Sequence, residues 1–406
     1  MQKRHAPDAA SSSALEGLVV LDLTRILSGP FATMTLGDLG ADVIKIEQPG
    51  TGDDTRQWGP PSQTGEAAYF LSINRNKRSL AVDLKTPEGL ATVRALARTA
   101  DIVVENFRPG TASRLGVGYD DLAVDNPGLI YASISGYGQT GPDAQRAGYD
   151  AIAQARSGIM SVTGEADGPP VRVGVSSADL VAGMWATIGI LAALHEKTRT
   201  GQGQWVDISL LDGSVALLTY VAGGYFASGD VPKRYGSAHP TIAPYQAFAS
   251  ADGFVMVAVG NDRLWTRFTM ALERAELADD PRFRSNPLRV EHREELISLL
   301  EPLLVGRSTA EWVRLLDLAG VPVGPIQTVD EALVDPQVLA RGMVTEVQHP
   351  SIGTLAQINC PIRLTRTPVA VRIAPPLLGQ HTDDVLLGAG FSAESIQSLR
   401  KVGAVA

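Results

Sequence analysis

Short apolar runs of strand length alternate along the chain with stretches whose apolar residues recur every three or four positions. Leu18-Val19-Val20-Leu21 is the first run, and Ser28-Gly29-Pro30 after it opens a helix, with proline where its missing N–H costs nothing. Gly40 closes that helix, and residues 41–47 (ADVIKIE) are predicted as the next strand, which makes a strand, helix, strand unit of the parallel type. The alternation repeats with a strand over 79–84, a helix begun by Thr86-Pro87-Glu88-Gly89 that puts Leu90, Val93, Leu96 and Ala97 on one face, and strands over 101–105 and 129–134. From Leu180 to Leu194 no residue is charged. That run is shorter than the roughly 20 residues that span a bilayer, so it predicts a buried helix, with Ser176 and Ser177 as candidate caps and Asp179 at its mouth. Lys197 to Gly203 reads as a basic, glycine-punctuated turn, and 204–210 as a further strand.

These elements predict a large, doubly wound α/β domain over 15–225, preceded by a disordered leader at 1–14. Between about 225 and 245 the pattern lapses into Gly, Pro and polar residues, as in a linker. A β-hairpin over 245–248 and 254–259, then helices over 263–272 and 309–318, predict a smaller α+β domain within 226–328. The remainder, 329–406, has helices at both ends and proline-rich joints, and its Leu377-Leu378-Gly379-Gln380-His381-Thr382 is expected to return to the first domain.

Composition narrows the function classes. With 35 Lys and Arg against 44 Asp and Glu, the chain of 406 residues carries a net charge of −9, which excludes a sequence-wide pull on nucleic acid or an anionic membrane. An anionic ligand therefore needs a local basic pocket. Cys360 is the only cysteine, so there is no intrachain disulfide or cysteine metal cluster, and a reducing, cytoplasmic compartment fits. The six histidines show no metal-binding spacing, and no metal site is expected. The leader has Lys3-Arg4 but no apolar stretch after it, unlike a secretory signal. The turn between Asp22 and Phe31 is not GxGxxG, and no GxxxxGK[ST] occurs, which removes the main support for dinucleotide or P-loop chemistry.

Asp179 is the residue with chemistry in prospect. A helix N-terminus carries partial positive charge and unpaired N–H groups, which favour the ionised form of an acid placed there. Such an acid serves either as a cap or as a nucleophile.

Eight stretches in order carry a resemblance. They are Ser28-Gly29-Pro30-Phe31 with 39–47, Gly52-Asp53-Asp54-Thr55-Arg56, Asn76-Lys77-Arg78-Ser79, Val104 to Gly110 (VENFRPG), Ser135 to Pro142 (SGYGQTGP), Lys197-Thr198 with Gly201-Gln202-Gly203-Gln204, Pro322-Val323-Gly324-Pro325, and Pro376 to Thr382 (PLLGQHT). Over about 15–399 the chain resembles the class III coenzyme A transferases, the formyl-CoA transferase and carnitine CoA-transferase family. Further runs, including Trp58-Gly59-Pro60-Pro61, Arg146 to Ala151 (RAGYDA) and Arg234 to His239 (RYGSAH), are similar to the members that use dicarboxylates.

The resemblance implies a Rossmann-like large domain, a smaller α+β domain and an interlocked homodimer in which two chains thread each other. It implies transfer of CoA from succinyl-CoA to a dicarboxylate such as glutarate, with acyl-CoA and a free carboxylic acid as substrates and no permanently bound cofactor. Asp179 matches the aspartyl nucleophile, which passes through mixed-anhydride and aspartyl-CoA thioester intermediates. For CoA, the family's positions fall on Ile26, Leu27, Val82, Lys85, Asn106, Phe107, Arg108, Arg114, Tyr149 and Asp150. For the second carboxylate of a dicarboxylate, the candidates in order are Arg25, Arg108, His239 and Arg234. The chain departs from the family at Gln48, where formyl-CoA transferase has an arginine, and at Gly236-Ser237-Ala238-His239-Pro240, where a glycine run is found in some members. The alternatives are a different acyl-CoA:carboxylate pair, an α-methylacyl-CoA racemase, and a CoA-binding protein without activity. The racemase histidine falls on Tyr149, a poor base with an ordinary pKa of about 10.

Overall fold

Six parallel strands form the central sheet: β1 (Val19–Asp22), β2 (Asp42–Glu47), β3 (Lys77–Ala81), β4 (Ile102–Glu105), β5 (Ile130–Ser135) and β6 (Trp205–Ser209). They lie in the order β3-β2-β1-β4-β5-β6, with β1 pairing β2 on one side and β4 on the other. The order reverses between β1 and β4, which opens a crevice at the carboxyl ends of the strands. Pleating sends Leu21, Ile44 and Ile46 to one face, against α3 (Pro87–Ala97), α6 (Thr382–Gly388) and α7 (Ala393–Lys401). Val20, Val43 and Ile102 go to the other, against α1 (Ser28–Asp38) and α5 (Ser177–Thr200). Burial on both faces is why β4 is a nearly continuous apolar run, whereas β2 also buries Lys45 and Glu47.

The computed structural model describes residues 13–406, so the expected leader lies, apart from Ser13 and Ala14, outside the described residues. The chain divides into two units, the first made of residues up to Ile159, Val173–Tyr220 and Pro336–Ala406, the second of Met160–Arg172 and Val221–Asp335. In the first unit the C-terminal segment lies along β3: His381 N–H donates to the Ser79 carbonyl at 3.0 Å, and Gly379 N–H to the Ser79 hydroxyl at 2.9 Å. Strand β3 ends at Ala81, three residues before the predicted end, and the next residue, Val82, forms an isolated bridge with Val405. The strand also begins earlier, because Asp22, 3.0 Å from the Lys77 ammonium, lets that lysine enter the core. A hairpin of Val344–His349 with Gly353–Ile358 was not predicted.

Helix α5 differs most from expectation. It has 24 residues, long enough to cross a membrane, and takes in Lys197 to Thr200; the turn comes only at Gly201, whose φ of +76° suits glycine. It is buried on one side alone, where Ala182, Gly183, Ala186 and Ile190 meet the sheet and α1. Met184, Trp185, Ile188 and Leu191 on its other side are exposed.

In the second unit Tyr245–Ala249 and Phe254–Ala258 form the predicted antiparallel hairpin, joined by an unpredicted third strand, Val323–Pro325. Phe248, Val255, Trp265, Phe268 and Trp312 fill its core. Residues 160–172 belong here and not to the large domain, because Arg234 donates to the carbonyls of Glu165 (3.1 Å) and Gly168 (2.7 Å) and Gly236 N–H to that of Gly164 (3.0 Å). The helix Thr219–Ser228 occupies the start of the stretch expected as linker.

Candidate active site

Asp179 is the third residue of α5 and lines a cavity of about 340 Å³. The walls come from the chain just after β1 (Arg25, Ile26, Ser28), just after β4 (Asn106, Phe107, Arg108) and at the end of β5 (Ile134, Ser135, Gly136). That is the crevice where the strand order reverses, the position at which open α/β sheets bind ligands. Arg146 to Tyr149 close the cavity from a further side. They reach it because Gly148 packs backbone to backbone on Gly136: a Cβ on Gly148 would stand 2.5 Å from the Gly136 Cα.

The same segment caps α5. Neither Ser176 nor Ser177 does so: no side-chain cap bond forms at Ser176, and the buried Ser177 hydroxyl has no partner. Instead Asp150, at the start of α4 (Asp150–Arg156), accepts a hydrogen bond from Ala178 N–H at 2.9 Å and another from the Gln154 amide at 2.8 Å. Burial opposes the ionisation expected for Asp179, and a carboxylate in place of a hydroxyl at this end adds to that opposition. Burial, and then the charge of Asp150, push the Asp179 carboxyl up to about 7, against an opposing hydrogen bond from Ser28. The helix N-terminus therefore does not keep Asp179 fully ionised.

Two neighbours of Asp179 carry no signal in the sequence pattern. Ser28 stood only as a helix-opening residue and within a family motif, with nothing to pair it with Asp179. Tyr69, on α2 (Ala68–Ile73), packs edge-on against Trp58 with ring centroids 5.1 Å apart. Burial and the charges of Asp179, Asp150 and Asp53 push its phenol up to about 12, so it remains a neutral hydrogen-bond donor.

A second cavity, of about 450 Å³, shares Arg25, Phe107 and Thr111 with the first, and the two form one cleft. Val82, Leu84, Lys85 and Gln48 line it. Of the residues predicted to bind CoA, the cleft gathers Ile26, Val82, Lys85, Asn106, Phe107, Arg108 and Tyr149. Leu27, Arg114 and Asp150 do not line it; Leu27 is buried, and Arg114 donates to the Thr111 hydroxyl at 2.8 Å. The Asn106 carboxamide holds the Arg25 backbone, accepting from Arg25 N–H at 2.8 Å and donating to the Arg25 carbonyl at 2.6 Å.

Three arginines line the Asp179 cavity. Arg25 pairs with Asp54 at 3.1 Å and Arg146 with Asp143 at 3.1 Å. Arg108 has no hydrogen-bond or ion-pair partner for its side chain among the described residues, which makes it the cation most available to an incoming anion. Arg234 and His239 are in the second unit, Arg234 tied to carbonyls and His239 stacked on Tyr245 with centroids 5.4 Å apart. Among the described residues no histidine lines the Asp179 cavity.

This chain belongs to CoA-transferase family III, whose profile matches residues 15–382, and it is a CoA-transferase that uses CoA thioesters as substrates. It is 47% identical over 383 residues to the succinyl-CoA:glutarate CoA-transferase of Mus musculus, which covers 94% of this chain and 88% of the mouse protein. It is 44% identical over 378 residues to the succinate–glutarate CoA-transferase of Agrobacterium fabrum strain C58, covering 92% of this chain and 94% of that protein. A solved CAIB/BAIF family protein from Brucella suis matches with a TM-score of 0.84 at 43% identity, over 93% of this chain and 99% of that one.

Proposed function

We propose that this enzyme moves CoA from succinyl-CoA to a second dicarboxylate such as glutarate, with Asp179 as the covalent carrier. The observation that carries the reading is a cavity lined by the Asp179 carboxyl that also presents an unpaired guanidinium, Arg108, continuous with a cleft toward Lys85. The ionised Asp179 oxygen attacks the thioester carbonyl carbon, the C–S bond breaks, and CoA leaves as thiolate. The product is a mixed anhydride of Asp179 and succinate. The thiolate then attacks the aspartyl carbonyl, which releases succinate and leaves an aspartyl-CoA thioester. The acceptor carboxylate attacks that thioester and expels the thiolate again, giving a second anhydride. Thiolate attack on the acceptor's acyl carbon yields the new acyl-CoA and frees Asp179. No ATP is needed, since overall the thioester of succinyl-CoA is exchanged for a product thioester of similar energy.

A carboxylate suits this sequence because its anhydride is more reactive than the thioester it replaces, whereas a serine ester would be too sluggish to return. Tyr69, kept neutral by burial and by the charges of Asp179, Asp150 and Asp53, is our candidate donor to charge developing on the carbonyl oxygen. Arg108 ranks ahead of Arg25 for the distal carboxylate because Arg25 already has Asp54. The protein acts as a homodimer in the cytoplasm. The apolar stripe of Met184, Trp185, Ile188 and Leu191 on α5 supports the dimer, as an uncovered face of that kind favours a second copy. Offering a panel of free mono- and dicarboxylates with succinyl-CoA and reading products by mass spectrometry tests the substrate class. Dicarboxylates are expected to become CoA esters, and a panel in which none does would remove the reading.

A further inference from the structure

The loop between β1 and α1 holds Ile26 at φ +72°, in the left-handed region that a β-branched residue rarely occupies. Side chains fix the backbone on both sides of it. Thr24 N–H donates to Asp22 at 2.9 Å, Asn106 takes both polar groups of Arg25, and Ile26 N–H donates to Asp53 Oδ1 at 3.2 Å. The Thr24 carbonyl accepts from the Lys45 ammonium at 2.9 Å, and that same ammonium pairs with Asp53 Oδ2 at 2.8 Å. Neither Lys45 nor Asp53 exposes any side-chain surface. A buried ion pair is a poor source of stability compared with apolar packing, so its placement calls for another role.

We propose that the buried Lys45–Asp53 pair is a positioning device for the catalytic loop: by tying the Thr24 carbonyl and the Ile26 N–H it holds Ile26 in its left-handed conformation, which turns Arg25 into the cavity and starts α1 with Ser28 against Asp179. Asp53 also accepts from Thr55 N–H (3.0 Å) and its hydroxyl (2.8 Å), so it shapes the turn whose next residue, Asp54, pairs with Arg25. Both the backbone and the side chain of the loop are thus referred to one internal carboxylate. The inference rests on Asp179 being the nucleophile.

A double-mutant cycle separates positioning from simple support of the core. Glycine adopts φ > 0 without the strain, so it needs the acceptor less. Asp53→Ala is expected to lower kcat by about 10²-fold, with KM for succinyl-CoA changing much less. In the Ile26→Gly background the same substitution is expected to cost under about tenfold, because the strained state no longer has to be held. An equal loss in both backgrounds, or no loss in either, overturns the proposal. Should Asp53→Ala fail to fold in either background, Asp53→Asn, which keeps the acceptor, decides the matter. It should retain kcat within about tenfold, and a larger loss that Ile26→Gly does not relieve is equally fatal. Asp179→Ala, assayed alongside, keeps the two ideas apart. Transfer surviving in it removes the nucleophile, whereas an inactive Asp179→Ala beside a fully active Asp53→Ala removes only the positioning role.

Discussion

The Asp150 carboxylate accepts a hydrogen bond from the N–H of Ala178 at 2.9 Å, so the group that caps the helix carrying Asp179 is also a negative charge acting on it. As the proposed nucleophile Asp179 must be ionised, and activity should therefore fall as pH drops through about 7. Asp150→Asn keeps an acceptor for Ala178 and removes the charge, which should move the acid limb of kcat/KM to lower pH. Ser28→Ala removes a hydrogen bond that favours the carboxylate and should move the limb upward. pH–rate profiles of the three proteins check both signs, and coincident limbs would contradict the electrostatic account.

Asp179 also links pH to stability. Its folded-state pKa is raised from 3.8 to about 7, so its stabilising contribution is complete below the unfolded value and is lost as pH rises through about 7. Replacing it with a neutral isostere removes a penalty on the order of 4 kcal/mol at pH 8. Thermal unfolding of the CoA-free protein should give Asp179→Asn a higher Tm than wild type at pH 8, with the gap closing toward pH 4. An equal or lower Tm at pH 8 would count against the burial of a nucleophile at this position.

The unpaired state of Arg108 separates it from Arg25. Arg108→Ala should raise KM for dicarboxylates by at least about tenfold, the effect of losing a charge-assisted hydrogen bond. A monocarboxylate acceptor should feel much less. Arg25→Ala, which also releases Asp54 into the cleft, should weaken both classes of acid together. Steady-state kinetics with matched mono- and dicarboxylates make the comparison, and a selective loss in Arg25→Ala alone would exchange the two roles.

The exposed side of α5 predicts association. Wild type should sediment as a dimer at micromolar concentration, while Ile188→Glu, at a half-exposed position of the stripe, should shift it toward monomer or aggregate. A wild-type monomer would leave that stripe unexplained.

Much of the fold is legible because the strands are buried on both faces and punctuated by Pro30, Gly40 and Pro87. Lys77 hid the start of β3, since a lysine in a central strand makes sense only once Asp22 is beside it. The strand Val323–Pro325 hid for the opposite reason, being short and built around Gly324. At the site, Asp179 stood out by its place before an uncharged helix. Its environment did not, because the cap comes from Asp150, 28 residues from Ala178 in sequence, and the phenol from Tyr69, a helix without a motif. The periodicity of α5 likewise gave no warning of the packing that leaves Trp185 and Ile188 uncovered.

Trapping the carrier is the most direct test. Enzyme incubated with succinyl-CoA, reduced with borohydride and mapped by peptide mass spectrometry should show the side chain of Asp179 converted to the alcohol, with no such product in Asp179→Asn. Reduction at any other residue, or an unmodified peptide from enzyme that is turning over, would contradict a covalent role for Asp179.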